Sequence, residues 1–285
     1  MTAMPAPARD AHERPIAVFD SGVGGLTVLH ELLVSLPSED FLYLGDTARF
    51  PYGEKSGEQL RAFALEIAEH LLAAGAKLLV VACGSASAAA LPLLEQRLAG
   101  TGVAALGVIA PAAELAVEAT RSGRIGLLAT PATVASGAFE HAIAMGDAQA
   151  SLLSVACPDL APIIQSGFPF DERVVETVRR YVAPLRAAEV DTVILGSTHY
   201  PLVAPMLQRM LGRGVRLVTS GEGVVRSVER ALAAGDLLSR RTGEGAYRFH
   251  CTGDVEAFRT LGTRFLQMPL GEVQGVRLAP LEAAA

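Results

Sequence analysis

Leu79-Val80-Val81-Ala82-Cys83-Gly84-Ser85 is an apolar run that ends abruptly in small and nucleophilic residues. The pattern returns further along the chain as Val193-Ile194-Leu195-Gly196-Ser197-Thr198-His199. Each run predicts a buried strand that delivers a reactive side chain to the start of a helix. We call residues 79–85 the first elbow and residues 193–199 the second elbow. Two elbows that face one pocket would hold a substrate between two proton-transfer groups, although only the first carries a thiol.

Apolar runs of strand length alternate with amphipathic stretches on both sides of the elbows. The alternation predicts an α/β fold of two similar doubly wound, mainly parallel-sheet domains with the active site between them. We predict that residues 15–107 and 215–285 form the first domain and residues 108–214 the second. The predicted strands are 16–20, 41–46, 78–83, 104–109, 125–130, 151–156, 192–197, 216–219 and 247–251. The predicted helices are 26–36, 57–74, 88–98, 171–188 and 223–237, and Ser56 with Gln59 marks one start as a capping box.

The composition excludes several classes of function. A chain of 285 residues with 51% hydrophobic and 19% charged residues is a folded globular protein. Its net charge of −6 argues against a surface that binds nucleic acid. We expect neither a signal peptide nor a membrane-spanning segment in the sequence. The three cysteines, Cys83, Cys157 and Cys251, form no metal-binding or disulfide pattern. We therefore expect a cytoplasmic protein without metal, nucleic-acid or membrane partners.

A glycine-rich turn follows the first predicted strand and reads Asp20-Ser21-Gly22-Val23-Gly24-Gly25. Such glycines allow a tight turn at a helix start, where free amide groups attract anions. A dinucleotide site with Asp46 at the ribose is the rival interpretation, but the third glycine of that motif would fall at Thr27. We favour contacts from Asp20 and Ser21 to the ammonium or carboxylate group of a substrate, with helix capping as the alternative.

Other candidate site residues follow predicted strands or lie in turns. A loop dense in turn formers carries Tyr52 beside Gly53, and a plain surface turn is its alternative role. Thr130 either caps a helix or binds a carboxylate, and capping is favoured from the sequence alone. Cys83 stands at a predicted helix start, which would lower the pKa of its thiol and make it reactive. His199 occupies a loop position that favours a functional imidazole.

Two familiar chemistries are not supported by the sequence. Pyridoxal phosphate enzymes need a Schiff-base lysine, and the only lysines are Lys55 and Lys77, neither of which follows a predicted strand. The G-x-S-x-G elbow of serine hydrolases is not met around Ser197. We therefore expect no cofactor.

Several short motifs, taken together and in this order, resemble the glutamate racemase family. The resemblance runs from residue 16 to the C-terminal region, and it is specific as a set although each motif alone is weak. The motifs lie at residues 20–25, 45–47, 51–53, 82–83, 157–158, 198–202 and 253–258.

The resemblance implies a cofactor-independent enzyme that interconverts L- and D-glutamate and supplies D-glutamate for peptidoglycan. It also implies a homodimer. In this family two cysteines flank the α-carbon of glutamate; Cys83 falls on the first position and Ser197 on the second. The expected catalytic residues are Cys83, Ser197, Asp20 and His199. The expected substrate-binding residues are Asp20, Ser21, Tyr52, Gly53, Gly84, Ser85, Thr130, Thr198 and His199.

The sequence departs from the family pattern at four places. Gly84 replaces an asparagine after the first cysteine, Gln165 replaces an acidic residue, and Thr219 replaces an aspartate. Ser197 is the most consequential departure, because an alcohol is a far weaker acid than a thiol. Racemisation should therefore be impaired or one-sided, unless the serine is an introduced replacement in an otherwise normal enzyme. A relay of a proton from His199 through Ser197 is a separate hypothesis.

Three functions remain open from the sequence. The first is a glutamate racemase with one cysteine. The second is a single-thiol decarboxylase or isomerase of the same superfamily, like arylmalonate decarboxylase, in which hydroxyls of Ser85, Ser87, Ser197 and Thr198 cradle an enediolate. The third is a non-catalytic homologue that binds an amino acid.

Overall fold

A computed structural model describes residues 10–167 and 171–279, which fold into two parallel β-sheets covered by helices. The strands are β1 (Ile16–Asp20), β2 (Phe41–Gly45), β3 (Leu78–Val81), β4 (Ala104–Gly107), β5 (Arg124–Ala129), β6 (Ser151–Ala156), β7 (Thr192–Leu195), β8 (Arg216–Thr219), β9 (Tyr247–Cys251) and β10 (Val273–Gly275). The first sheet has the order β10-β9-β2-β1-β3-β4 and the second has the order β6-β5-β7-β8.

Helices connect the strands. They are α1 (Leu26–Ser35), α2 (Gly57–Ala73), α3 (Gly84–Leu98), α4 (Ile109–Ala119), α5 (Pro131–Ala135), α6 (Ala138–Gly146), α7 (Leu160–Gln165), α8 (Glu172–Ala187), α9 (Ala204–Leu211), α10 (Ser220–Ala234) and α11 (Val255–Leu266). The predicted capping box is confirmed, because Ser56 and Gln59 exchange side-chain and backbone hydrogen bonds at the start of α2. None of the helices in the described part of the chain is long and apolar enough to cross a membrane.

Alternate residues of the central strand β1 serve two cores. Ala17 and Phe19 pack in a core that α2 and α3 cover, whereas Ile16 and Val18 pack in a core that includes α1 and α11. The latter core continues into the second sheet and its helices. The first sheet is therefore buried on both faces, as the prediction of a doubly wound α/β fold requires.

The neighbouring strands of both sheets run parallel, so their carboxyl ends lie at one edge of each sheet. In the first sheet the chain continues from β1 to β2 on one side and to β3 on the other, so β1 is the point at which the strand order changes direction. In open α/β sheets such an edge is where ligands bind. The predicted class, two mainly parallel sheets of similar construction, is confirmed.

The structure changes several details of the prediction. β8 pairs with β7 in the second sheet, although the predicted division placed residues 215–285 with the first domain. α4 was not predicted, because its first residues continue the apolar run of β4, and its only charged residues, Glu114 and Glu118, give it a narrow polar face. α6, α7, α9, α11 and β10 were also missed. The division into domains remains a proposal, with β8 moved to the second.

Candidate active site

The first elbow places Cys83 between β3 and α3. β3 ends at Val81, and Cys83 precedes the first residue of α3 with 5% of its surface exposed. Because β1 pairs with β3, Asp20 at the end of β1 lies beside this elbow. Asp20 is fully buried and accepts a hydrogen bond of 2.9 Å from the Gly22 amide. A thiol and a carboxyl group therefore share the carboxyl edge of the first sheet.

The environment of Cys83 disfavours its thiolate. Burial, and after it the charge of Asp20, raise the pKa of the Cys83 thiol to about 12, although amide groups of Ala86 and Ser21 act in the opposite direction. Burial also raises the pKa of Asp20. The expectation that the helix start lowers the thiol pKa is wrong, because desolvation outweighs the backbone amides.

The second elbow follows β7, which ends at Leu195. Ser197, Thr198 and His199 are all buried, with 8%, 6% and 2% of their surfaces exposed. A short 3-10 helix at Tyr200–Val203 separates this elbow from α9. The nucleophilic residues of both elbows thus lie in the loops just beyond their strands, and not within the strands as predicted.

Thr198 joins the second elbow to the glycine-rich turn and to α1. Its hydroxyl donates to Asp20 Oδ2 over 3.1 Å, and its carbonyl accepts a hydrogen bond of 3.0 Å from the Thr27 hydroxyl of α1. A Cβ atom at Gly24 would lie 2.3 Å from the Thr198 hydroxyl, so only glycine permits this approach. The second elbow therefore packs against the glycine-rich turn. This contact accounts for the glycines, so that no bound nucleotide is needed to explain them.

The ring of His199 bonds to Gln165 and not to Ser197. Its Nε2 lies 2.8 Å from Gln165 Oε1, whereas only the backbone amide of His199 contacts Ser197 Oγ, at 3.4 Å. Burial lowers the pKa of His199 to about 3. The hypothesis that His199 relays a proton through Ser197 is not supported by these contacts.

Tyr52 lines the cleft from a loop that Asp46 holds in place. The Tyr52 hydroxyl and the Arg49 guanidinium both bond to Oδ2 of Asp46, and the Thr252 hydroxyl donates to Oδ1 over 2.7 Å. Arg49 also pairs with Glu66. Asp46 is fully buried in this network, so the alternative of a ribose-binding aspartate is wrong.

Three hydroxyls form a cluster where the two sheets meet, which we call the hydroxyl triangle. Ser85 and Thr130 lie 2.9 Å apart, as do Thr130 and Thr133, and Ser85 lies 3.4 Å from Thr133. Thr130 makes no side-chain capping bond, so the favoured capping role is wrong. The hydroxyl triangle supplies donors for a carboxylate at the cleft wall.

The two elbows are tightly packed against each other at Gly84. A Cβ atom at this position would lie 2.8 Å from the backbone oxygen of Gly196. The asparagine that the family pattern places at position 84 would therefore require the second elbow to move. Gly84 is the residue that permits this spacing of the elbows.

One cleft gathers the predicted site residues except Asp20, which lies behind it bonded to Thr198. The cleft encloses about 490 Å³, including the part open to solvent. The predicted residues that line it are Ser21, Tyr52, Gly53, Cys83, Gly84, Ser85, Thr130, Ser197, Thr198 and His199.

Sequence reasoning missed the residues that support the cleft. Phe50, Pro131, Pro158 and Pro162 line it, and Gln165 stands behind His199. Pro158 and Gln165 both belong to the segment that begins at Cys157-Pro158. This motif could therefore have identified them as part of the site. Phe50 and Pro131 were adjacent to residues already singled out.

The fold and the cleft define a class of protein. A thiol from one parallel sheet and a hydroxyl from another face a single small cleft, as in enzymes that move protons at a carbon atom held between two side chains. Among the described residues, no group of three or more His, Cys, Asp or Glu side chains is arranged to hold a metal ion.

Comparison with known proteins specifies the family. The Asp/Glu/Hydantoin racemase family matches residues 29–228. Glutamate racemase of Beutenbergia cavernae is 45% identical over 270 residues, covering 92% of both chains. The structure of glutamate racemase isoform RacE1 from Bacillus anthracis superimposes with a TM-score of 0.90 at 35% identity, covering 95% of this chain and 100% of that one. For glutamate racemase from Francisella tularensis in complex with D-glutamate, the TM-score is 0.86 at 31% identity, with 93% and 98% covered. The chain belongs to the glutamate racemase family.

Proposed function

We propose that this chain is a cofactor-independent glutamate racemase in which Cys83 moves the α-proton on one face of the substrate and Ser197 occupies the opposite position. The observation that carries the proposal is the convergence of both elbows, from two sheets, on one cleft. Structures of related racemases with D-glutamate from Francisella tularensis and with L-glutamate from Escherichia coli support glutamate as the substrate.

In the proposed reaction the Cys83 thiolate removes the α-proton and becomes a thiol. The electron pair stays on the substrate, where the adjacent carboxylate delocalises it. The Cys83 thiol exchanges its proton with solvent, and its return of a solvent-derived proton restores the starting enantiomer, whereas delivery of a proton from the Ser197 hydroxyl to the other face inverts it. Asp20 assists Cys83, and Ser21, Thr198 and the hydroxyl triangle are placed to bind the charged groups of glutamate.

Ser197 makes the two faces unequal. A serine hydroxyl is a far weaker acid than a thiol, and a well-matched general acid or base contributes roughly 10² to 10⁴ in rate. Cys83 therefore exchanges the α-proton of the enantiomer it faces faster than the enzyme inverts that enantiomer. The family resemblance assigns D-glutamate to the first cysteine.

Incubation in deuterated water tests this proposal. We expect D-glutamate to gain α-deuterium faster than it becomes L-glutamate, with exchange followed by ¹H NMR and inversion by circular dichroism. Ser197→Cys should raise inversion by roughly 10² to 10⁴ and Cys83→Ser should abolish exchange. Equal rates of exchange and inversion from both enantiomers would contradict the one-thiol mechanism.

The hydroxyl triangle favours a second candidate, a single-thiol decarboxylase that holds an enediolate with hydroxyls. Ser85, Ser197 and Thr198 line the cleft, whereas the Ser87 hydroxyl donates to the Val81 carbonyl over 2.8 Å and takes no part. Release of carbon dioxide from aryl malonates, without exchange of glutamate, would establish this activity. Calorimetric binding of glutamate without exchange would indicate the non-catalytic homologue.

We also propose that the protein acts as a cytoplasmic homodimer that supplies D-glutamate for peptidoglycan. The family resemblance supports the dimer and the cellular role. The absence of any paired cysteine pattern in the sequence supports a reducing compartment.

A further inference from the structure

His199 is a buried imidazole in a tightly packed position. Its ring lies between Phe50 and Phe265, with centroid distances of 5.7 Å and 5.2 Å. The ring edge with Nδ1 faces the glycine-rich turn, where a Cβ atom at Gly24 would lie 2.5 Å from Nδ1. Aromatic faces and this backbone together leave the ring little freedom to rotate or flip.

Gln165 is the hydrogen-bond partner that determines where the ring carries its proton. Its Oε1 lies 2.8 Å from Nε2 of His199, and an amide oxygen only accepts hydrogen bonds. The amide of Gln165 also packs against the first half of the chain, where a Cβ atom at Gly22 would lie 3.2 Å from Oε1. The partner is therefore held from two sides.

We propose that Gln165 is a positioning residue that fixes the His199 ring as the neutral tautomer with its proton on Nε2. An acidic side chain at position 165, which the family pattern leads one to expect, would instead favour the imidazolium ion. The neutral amide supplies the acceptor without the charge. Gln165 thus determines both the charge state and the tautomer of a ring that lines the cleft.

No neighbouring charge stabilises the imidazolium form of His199 in the way that an acidic side chain at position 165 would. Burial alone accounts for the lowered pKa of its ring. Several titratable or charged groups lie on the elements that surround His199. Those around the cleft are Asp20, Cys83, Tyr52 and Glu54, and those beside the second elbow and α7 are Tyr200, Cys157 and Asp159. His30, Glu31 and Arg264 lie near Phe265.

The consequence for catalysis rests on the proposed function. Ser197 carries an alcohol. His199 is a neutral imidazole whose proton is donated to the Gln165 amide oxygen, and Gln165 has no proton that ionises. The second side of the cleft therefore has no acid that matches the Cys83 thiol. The substitutions at positions 165 and 197 act in the same direction, since each removes an ionisable group from the same side.

Nitrogen-15 NMR of the histidine rings tests the proposal without substrate. The His199 signals are assigned among the six histidines by their loss in His199→Gln. Between pH 4.5 and pH 8.5 we expect the wild-type ring to show a protonated Nε2, an unprotonated Nδ1 and no titration. In Gln165→Glu the titration midpoint should rise by roughly 1–3 pH units, so that protonation of the ring becomes detectable from the acidic end of the measured range. Gln165→Met should keep the ring neutral but mix the two tautomers.

Gln267→Glu is the matched control, because it adds the same charge on an exposed residue beside α11 without touching His199. It should leave the His199 signals unchanged. A wild-type ring that is protonated on Nδ1, or a Gln165→Glu ring that does not titrate in the measured range, would overturn the proposal. Failure of the exchange assay with intact tautomer signals would count against the racemase function alone.

Discussion

Cys83 is the residue on which the proposed chemistry depends, and its surroundings keep it protonated. Burial and the Asp20 carboxylate raise the pKa of its thiol to about 12. The species that removes a proton is the thiolate. Only a small fraction of the free enzyme is therefore reactive at neutral pH, and this fraction grows as pH rises towards the pKa.

We expect kcat/KM for α-proton exchange of D-glutamate to rise about tenfold per pH unit from about pH 7 to about pH 9, because kcat/KM reports ionisation of the free enzyme. A pH–rate profile in deuterated water measures this slope. Cys83→Ser provides the control and should show no exchange at any of these pH values. A plateau that begins near neutral pH would mean that the thiolate is stabilised in the free enzyme, contrary to its buried environment.

At the scale of elements, the start of α3 sets how closely the two elbows can approach each other. Gly84 is the first residue of α3, and the backbone oxygen of Gly196 leaves no room for a side chain there. Gly57 holds the equivalent position in α2, where the nearest atom to an added Cβ is the mobile end of Arg61 at 3.2 Å. A rigid backbone atom therefore faces Gly84, whereas the end of a flexible side chain faces Gly57.

Gly84→Ala should destabilise the protein by about 1–3 kcal/mol, since overpacking forces the Gly196 backbone to shift. It should also lower exchange activity, because the second elbow moves with that backbone. Gly57→Ala is the matched control and should be neutral or slightly stabilising. Urea denaturation and the exchange assay measure the two effects. Equal stability of the two variants would mean that the elbows tolerate a wider spacing.

At the scale of the whole molecule, a buried ion pair stabilises the first sheet at the amino ends of its strands, on the side opposite the cleft. Lys77, just before β3, bonds to Glu39 over 2.6 Å and to the carbonyl oxygens of His12 and Leu237. Both charged side chains are almost fully buried. Arg97 and Glu69 pair at the same 2.6 Å distance, but their side chains are 54% and 38% exposed.

Lys77→Met should lower the free energy of unfolding by about 3–5 kcal/mol, because it leaves the Glu39 carboxylate buried without its partner. Arg97→Met should cost at most about 1 kcal/mol, as exposed pairs contribute little. Neither variant should change KM or kcat of the folded fraction, because both pairs lie away from the cleft. Denaturation curves and steady-state kinetics check both statements, and a changed KM in Lys77→Met would contradict this separation.

Local patterns in the sequence were sufficient for the class of fold and for most strands. Alternating apolar and amphipathic stretches predict parallel sheets because buried strands and their covering helices leave distinct periodicities. Such patterns are weak where a helix continues the apolar run of the preceding strand, as α4 continues β4, and they cannot assign β8 to a sheet, because strand pairing depends on distant segments. The candidate site residues were identified by their positions after strands and by family motifs.

The sequence by itself determined the two elbows, the single thiol that they carry and most of the polar residues that line the cleft. Only the tertiary structure decided the state of those groups. Burial raises the pKa of Cys83 where a helix start alone would lower it, and Thr130 bonds within the hydroxyl triangle instead of capping its helix. His199 bonds to Gln165, which lies on another helix. Protonation and hydrogen bonding depend on desolvation and on partners distant in the chain, and neither is contained in a local pattern.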